Sequence, residues 1–224
     1  MPKKITFLSS GGGGNLKFLD LLIKKNLAPD IFLSVIADRE CGALTYARNA
    51  GIENQMILVD REEQTELSDT LSEMQPDLIF TTIHRIIDKK VLDAHGDVML
   101  NLHYSLLPSY AGVIGMAGVI EALKNRDFLL GVTLHQLTSE VDKGPPVLQS
   151  YFQNPNNLDL AMNASFRIGC WQIWSILQGI DINSENKISV SDDLISKLEI
   201  HHIPGVTRLP EGIDESFWIQ LSST

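Results

Sequence analysis

Ile5-Thr6-Phe7-Leu8-Ser9-Ser10-Gly11-Gly12-Gly13-Gly14-Asn15-Leu16-Lys17-Phe18-Leu19-Asp20-Leu21-Leu22-Ile23 decides the fold class. A short apolar run, Ile5 to Leu8, reads as a strand, and the residues from Asn15 to Ile23 carry apolar side chains at helical spacing. Four glycines join the two, and Asn15 is placed to cap the helix. A buried strand leading through glycine into an amphipathic helix is the first half of a strand–helix–strand unit. The pattern then repeats. Ile31 to Ala37 reads as a second strand, Gly42 to Ala50 as a helix closed by Gly51, and Met56 to Val59 as a third strand. Glu62 to Met74 is a helix ended by Gln75-Pro76, Leu78 to Ile83 a fourth strand, and Val98 to His103 a fifth. Such alternation predicts an α/β fold with a doubly wound, mostly parallel sheet. Ligands bind such sheets beyond the carboxyl ends of the strands. The glycine run, His84-Arg85 and Asn101/His103 all follow strand ends, so they are expected on one edge.

The second half changes character. Val113 to Lys124 reads as a helix, Val132 to Gln136 and Pro145 to Phe152 as strands, and Leu158 to Leu177 as a long helix ended by Gly179. The domain expected is 1–179, with 180–224 as a C-terminal appendage packed on the core, anchored by Phe217 and Trp218.

Composition narrows the classes. The 224 residues are 44% hydrophobic and 21% charged, with net charge −10, and the pI is near 5.0. That is a globular composition without the Lys/Arg cluster of a duplex nucleic-acid binder. No apolar run reaches the ~18 residues of a membrane span, and the first apolar run is too short for a signal peptide. A cytoplasmic protein without nucleic-acid or membrane partners is expected. Cys41 and Cys170 are far apart and outside any ligand-spacing motif, so buried free thiols are expected and no metal.

Three side chains suggest chemistry. Asn101 and His103 lie two apart, hence on one face of a strand. Asp142 sits in the loop Leu137 to Gly144. A carboxylate beside an imidazole favours the imidazolium. An amide donor and an imidazolium together stabilise an oxyanion, and the carboxylate can take a proton from an attacking amine. This set lacks a side-chain nucleophile and suits direct acyl transfer between two bound substrates. Ser105 with His103 as base is a lesser alternative, since no Gly-x-Ser-x-Gly elbow surrounds it. The glycine run could hold an anion at the helix N-terminus, although it matches neither a Walker loop nor a full dinucleotide motif. His201-His202 read as exposed tail residues.

The stretch Asn101-Leu102-His103-Tyr104-Ser105-Leu106-Leu107-Pro108, with Gly112, Gly131-Val132-Thr133-Leu134-His135 and Asp142-Lys143-Gly144-Pro145, resembles the folate-dependent formyltransferases, over roughly residues 3 to 179. Within that family the chain looks most like those acting on glycinamide ribonucleotide. Ser10 to Leu16 resembles their phosphate loop, Tyr46 to Ile52 their second helix end, and Thr138 to Asp142 their folate-site loop. The resemblance implies a Rossmann-like formyltransferase fold, with Asn101, His103 and Asp142 as the catalytic set. It implies Arg85, Ile86 and Ile87, with Arg61, as contacts for 10-formyltetrahydrofolate, the co-substrate. Gly13, Gly14 and Asn15 would contact the acceptor phosphate. The partners implied are folate and a small-molecule amine, with a homodimer as a further possibility.

The departures from the family pattern concern the acceptor. Gly14 stands where the phosphate loop normally has Ser. Ile114-Gly115-Met116 replaces the usual His-Thr-His. The Lys and Glu usual near the start of the long C-terminal helix have no counterpart in Leu158 to Phe166, where Arg167 is the nearest cation. Other acceptors, such as an amino sugar, or a non-catalytic folate- or phosphate-binding role, are the alternatives. A hydrolase is a third, weakened because the preceding regulatory domain of the resembling hydrolases is not seen.

Overall fold

The computed structural model describes residues 3–60, 63–179 and 198–224. The chain forms two compact units, one of residues 1–101 with 136–144, the other of 102–135 with 145–224.

The first unit contains β1 (Lys3–Ser9), α1 (Gly14–Lys24), β2 (Ile31–Ala37), α2 (Gly42–Ala50), β3 (Glu53–Met56), α3 (Thr65–Met74), β4 (Leu78–Thr82), α4 (Lys89–His95) and the start of β5 (Met99–His103). Its strands lie in the order β3-β2-β1-β4-β5, and every pairing is parallel. β1 has β2 on one side and β4 on the other, so the winding reverses between β1 and β4. Ligands of doubly wound sheets bind at such a reversal. β1 and β2 are buried over most of their length and read as continuous apolar runs, as parallel strands covered on both faces must. The two polar residues enclosed there, Thr6 and Ser34, hydrogen-bond each other across the strands at 2.8 Å.

One apolar cluster of this unit joins Leu8, Ile36, Leu67, Leu71, Ile79, Ile87, Val91 and Met99. It explains α4, which the sequence reading omitted. Seven residues are too few for a clear periodicity, and the helix is held by one buried residue, Val91, and by the Asp88 side chain, which accepts from Val91 N at 2.8 Å.

Other boundaries also moved. β3 is Glu53–Met56 rather than Met56 to Val59, because Ile57 and Val59 are buried as loop residues in the same cluster. Asn15 is not the N-cap of α1. Gly13 takes that place with φ 72°, and the helix starts at Gly14. A side chain on Gly13 would need that left-handed backbone and would place its Cβ 2.8 Å from Ala43 of α2. Close approach of α2 to the loop thus demands glycine.

The second unit contains the end of β5, α5 (Ala117–Lys124), β6 (Leu129–Gln136, its last residue in the first unit), β7 (Pro146–Gln153), α6 (Leu158–Gln178), β8 (His201–Ile203) and α7 (Glu215–Ser222). β6, β7 and β8 form an antiparallel meander. α5 starts at Ala117, not Val113, since residues 113–116 form turns with Gly115 at φ 59°. α6 is buried along most of its length, with Ile168, Trp171, Ile173 and Leu177 in the core.

Within this unit the C-terminal segment is locked to α6. Trp171 Nε1 donates to Thr207 O at 2.7 Å and Trp174 Nε1 to Arg208 O at 3.1 Å. Phe217 and Trp218 are buried. His201 and His202 are not tail residues. They form β8, and His202 is fully buried against Trp171, where the expectation of exposure came from missing the pairing of β8 with β7. Neither cysteine is in a disulfide; Cys170 is buried, whereas Cys41 is half-buried. Among the described residues no helix is long and apolar enough to cross a membrane.

Candidate active site

The loops after β1, β2 and β4 meet on one edge of the first unit. Ser9 and Thr82 hydroxyls lie 3.2 Å apart at the two strand ends. Ser10 Oγ donates to Asp38 Oδ1 at 2.7 Å and accepts from His84 N at 2.8 Å, so one buried hydroxyl ties all three loops together. Asp38 also accepts from Arg39 Nη2 at 2.6 Å and from Arg85 Nε at 3.1 Å. Burial alone would raise the Asp38 pKa. The hydrogen bonds from Arg39, Ser10 and Arg85 outweigh it and bring the carboxyl down to about 2. Asp38 is therefore a fixed anion that sets the direction of Arg85, whose side chain remains half-exposed.

The glycine run lies beside this cluster. Gly11 O accepts from Ala43 N at 2.9 Å, and Gly42 packs against Gly12. Gly13 and Gly14 begin α1, and Asn15 is buried in its first turn. Backbone N–H groups at such a start suit an anion.

Residues 85 to 87 divide. Ile86 is 49% exposed, whereas Ile87 is 5% exposed and belongs to the core cluster. The segment is held by Gln64, which the sequence reading did not single out. Its Nε2 donates to Asp60 O and Ile86 O, and its Oε1 accepts from Asp88 N. Arg61 lies outside the described residues.

β5 and the loop 137–144 bring Asn101 and Asp142 together. Asn101 Nδ2 donates to Asp142 Oδ1 at 3.2 Å, across 41 positions of sequence. Thr81, the register partner of Asn101 on β4, donates its hydroxyl to Asn101 Oδ1 at 3.1 Å. A carboxylate only accepts, so the amide turns its NH2 to Asp142 and its oxygen to the Thr81 hydroxyl, which also lies 3.3 Å from Leu100 O. Thr81 was missed because it bears no charge and looks like an ordinary β-branched strand residue. Its signal is its place opposite Asn101 on the neighbouring strand, which only pairing reveals. The loop is anchored where Leu137 N donates to Met99 O at 3.1 Å, and Asp142 adopts φ 53°. Gly144 passes so close to the strand end that an added Cβ would sit 1.7 Å from Gln136 O.

His103, two residues after Asn101 on β5, is 6% exposed. Within the second unit its Nε2 lies 3.1 Å from Tyr110 O. Ser105 Oγ donates instead to Ser109 O at 2.6 Å, which does not support a His103-activated serine nucleophile. Arg167 is enclosed in the second unit. Both its terminal nitrogens bond Glu215 of α7 at 2.8 Å, and it stacks over Trp218. No cluster of His, Cys, Asp and Glu able to hold a metal occurs among the described residues.

The formyl transferase family model matches residues 3–159. Phosphoribosylglycinamide formyltransferase of Escherichia coli is 29% identical over 153 residues, covering 65% of this chain and 71% of its own length. The Haemophilus influenzae protein of the same name is 32% identical over 155 residues, 66% of this chain and 72% of its own. Among solved structures, glycinamide ribonucleotide transformylase 1 from Symbiobacterium toebii superposes with TM-score 0.65 at 26% identity, covering 77% of this chain and 84% of that one. A phosphoribosylglycinamide formyltransferase from Coxiella burnetii gives TM-score 0.65 at 27% identity, covering 76% and 82%.

Proposed function

Because the chain belongs to the formyl transferase family, we propose that it passes a formyl group from 10-formyltetrahydrofolate to a primary amine, with glycinamide ribonucleotide as the first acceptor to test. The observation that carries this reading is the Thr81–Asn101–Asp142 chain of hydrogen bonds. It joins an oriented amide donor to a carboxylate, the pair that acyl transfer to an amine requires.

The proposed steps use direct attack. The amine nitrogen bonds to the formyl carbon and the carbonyl oxygen gains negative charge. Asn101 Nδ2 and protonated His103 stabilise that oxygen. Asp142 accepts a proton from the amine, directly or through water. The bond to the folate N10 then breaks, and N10 takes up a proton. Arg85, held by Asp38, with exposed Ile86 and with Arg61, is proposed to contact the folate. Ile87, being in the core, would support that contact from behind. Gly13, Gly14 and Asn15 are proposed to take the acceptor phosphate.

A second amine acceptor is favoured by specific residues. Ile114-Gly115-Met116 offers no cation or imidazole, and Arg167 is engaged by Glu215. A panel of amines, glycinamide ribonucleotide and amino sugars among them, assayed by folate absorbance separates the acceptors. Turnover with the ribonucleotide is expected. Turnover with an amino sugar alone moves the substrate, and none with any amine supports a binding role. Asp142→Asn is expected to abolish transfer while folate still binds, and near-normal turnover would sink the mechanism.

A further inference from the structure

We infer that Tyr110 is a positioning residue that fixes the tautomer of His103, so that protonation at Nδ1 makes the imidazolium that the proposed transfer uses. The inference rests on His103 serving in formyl transfer as proposed above. Tyr110 O is a carbonyl and can only accept, so the 3.1 Å contact requires hydrogen on His103 Nε2. A neutral imidazole carries one N–H, which leaves Nδ1 as the basic atom.

The carbonyl is aimed by the rest of Tyr110. Its backbone has φ 60°, a left-handed conformation that a tyrosine adopts at a cost and that persists where surroundings over-determine it. Here the side chain does so. Its hydroxyl donates to Asp127 Oδ2 at 2.7 Å and accepts from Asn125 Nδ2 at 2.8 Å, both in the turn after α5. The carbonyl itself closes the loop by also accepting from Val113 N at 3.1 Å. Tyr110 and Asp127 line a cavity of about 370 Å³ with Tyr104, Gly118 and Phe128. A ring cut loose from Asp127 therefore has room to move, and the carbonyl moves with it.

Long-range proton–nitrogen NMR of the full chain distinguishes the two tautomers of His103 without needing turnover. The expected spectrum shows neutral His103 with hydrogen on Nε2. Tyr110→Phe and Asp127→Ala should each give a tautomer mixture. Asp127→Asn, which keeps an oxygen acceptor for the phenol, should restore the single form. Where an acceptor is turned over, Tyr110→Phe should lower kcat about tenfold or more, with KM for the folate within about twofold. If Tyr110→Phe does not fold, Asp127→Ala carries the test with the tyrosine in place. Hydrogen on Nδ1 in the parent chain, or an unchanged spectrum in the foldable variants, overturns the inference. A chain inactive with every amine but showing the expected spectra would refute the proposed function and leave the tautomer assignment standing.

Discussion

Thr81 shows how an inconspicuous hydroxyl supports a proposed catalytic amide. Its hydroxyl donates to Asn101 Oδ1, while Nδ2 of the same amide donates to Asp142. Thr81→Val preserves the shape of a residue that is 1% exposed and removes only that donor. The amide oxygen then loses a donor and the side chain is held less firmly, its NH2 still on the carboxylate. The cost of one such oriented hydrogen bond is about 1 to 1.5 kcal/mol, so kcat/KM is expected to fall about tenfold. Steady-state kinetics beside a melting curve check it. A variant with parental kcat/KM would show that Thr81 does not orient Asn101. Sequence reading singled out Asn101, His103 and Asp142 as candidates because their side chains carry recognisable chemistry. It could not reach Thr81, Gln64 or Tyr110, whose roles depend on pairing and on the direction of a hydroxyl, an amide or a carbonyl.

At the scale of elements, the loop 137–144 and strand β8 each contain a tight contact that a substitution tests. Gly144→Ala would force its Cβ against Gln136 O, so the loop must shift and take Asp142 with it. Transfer should drop by about a hundredfold or more, since displacement near 1 Å has that effect on reacting groups. Kinetics of this variant with parental rates would show that the loop can yield without moving Asp142. β8 is held through His202, whose Nδ1 lies 2.7 Å from Ser150 Oγ. Gln172 Nε2 donates to that same oxygen at 2.8 Å, so the serine hydrogen goes to His202 Nδ1. Burial, with the charge of His201 adding to it, lowers the His202 pKa from 6.5 to about 4. A depressed histidine means that the unfolded chain binds the proton more readily between these values. Stability is therefore complete above about pH 6.5 and falls as pH drops toward 4, by about 3 kcal/mol from this residue. Denaturant unfolding at pH 7 and pH 4 measures the loss, and His202→Gln should remove that part of it. An equal pH dependence in the variant would assign the loss elsewhere.

Across the whole molecule, the acceptor question turns on which cations remain for an anionic substrate. Arg167 is 5% exposed, paired with both carboxylate oxygens of Glu215 and stacked on Trp218. These contacts tie α6 to α7, which makes it a structural residue. Arg167→Met should lower stability by about 1 to 2 kcal/mol, the partly exposed Glu215 being able to regain water. KM for the acceptor should not change. A rise in that KM with unchanged melting temperature would return Arg167 to the substrate.

The sequence alone determined the alternation of strands and helices in the first unit, because strand and helix periods are local properties that survive without neighbours. It also determined the chemical class, because the spacings from Asn101 to Asp142 carry the family pattern. Tertiary structure decided three further matters. It set the reversal between β1 and β4 and the register that places Thr81 against Asn101. It buried His202 and Arg167, which read as available when taken singly. It also folded 113–116 into turns and made α4 a helix. The physical reason is common to all three. Hydrogen-bond direction and burial are properties of pairs far apart in the chain, and only closing the sheet and packing the helices brings those pairs together.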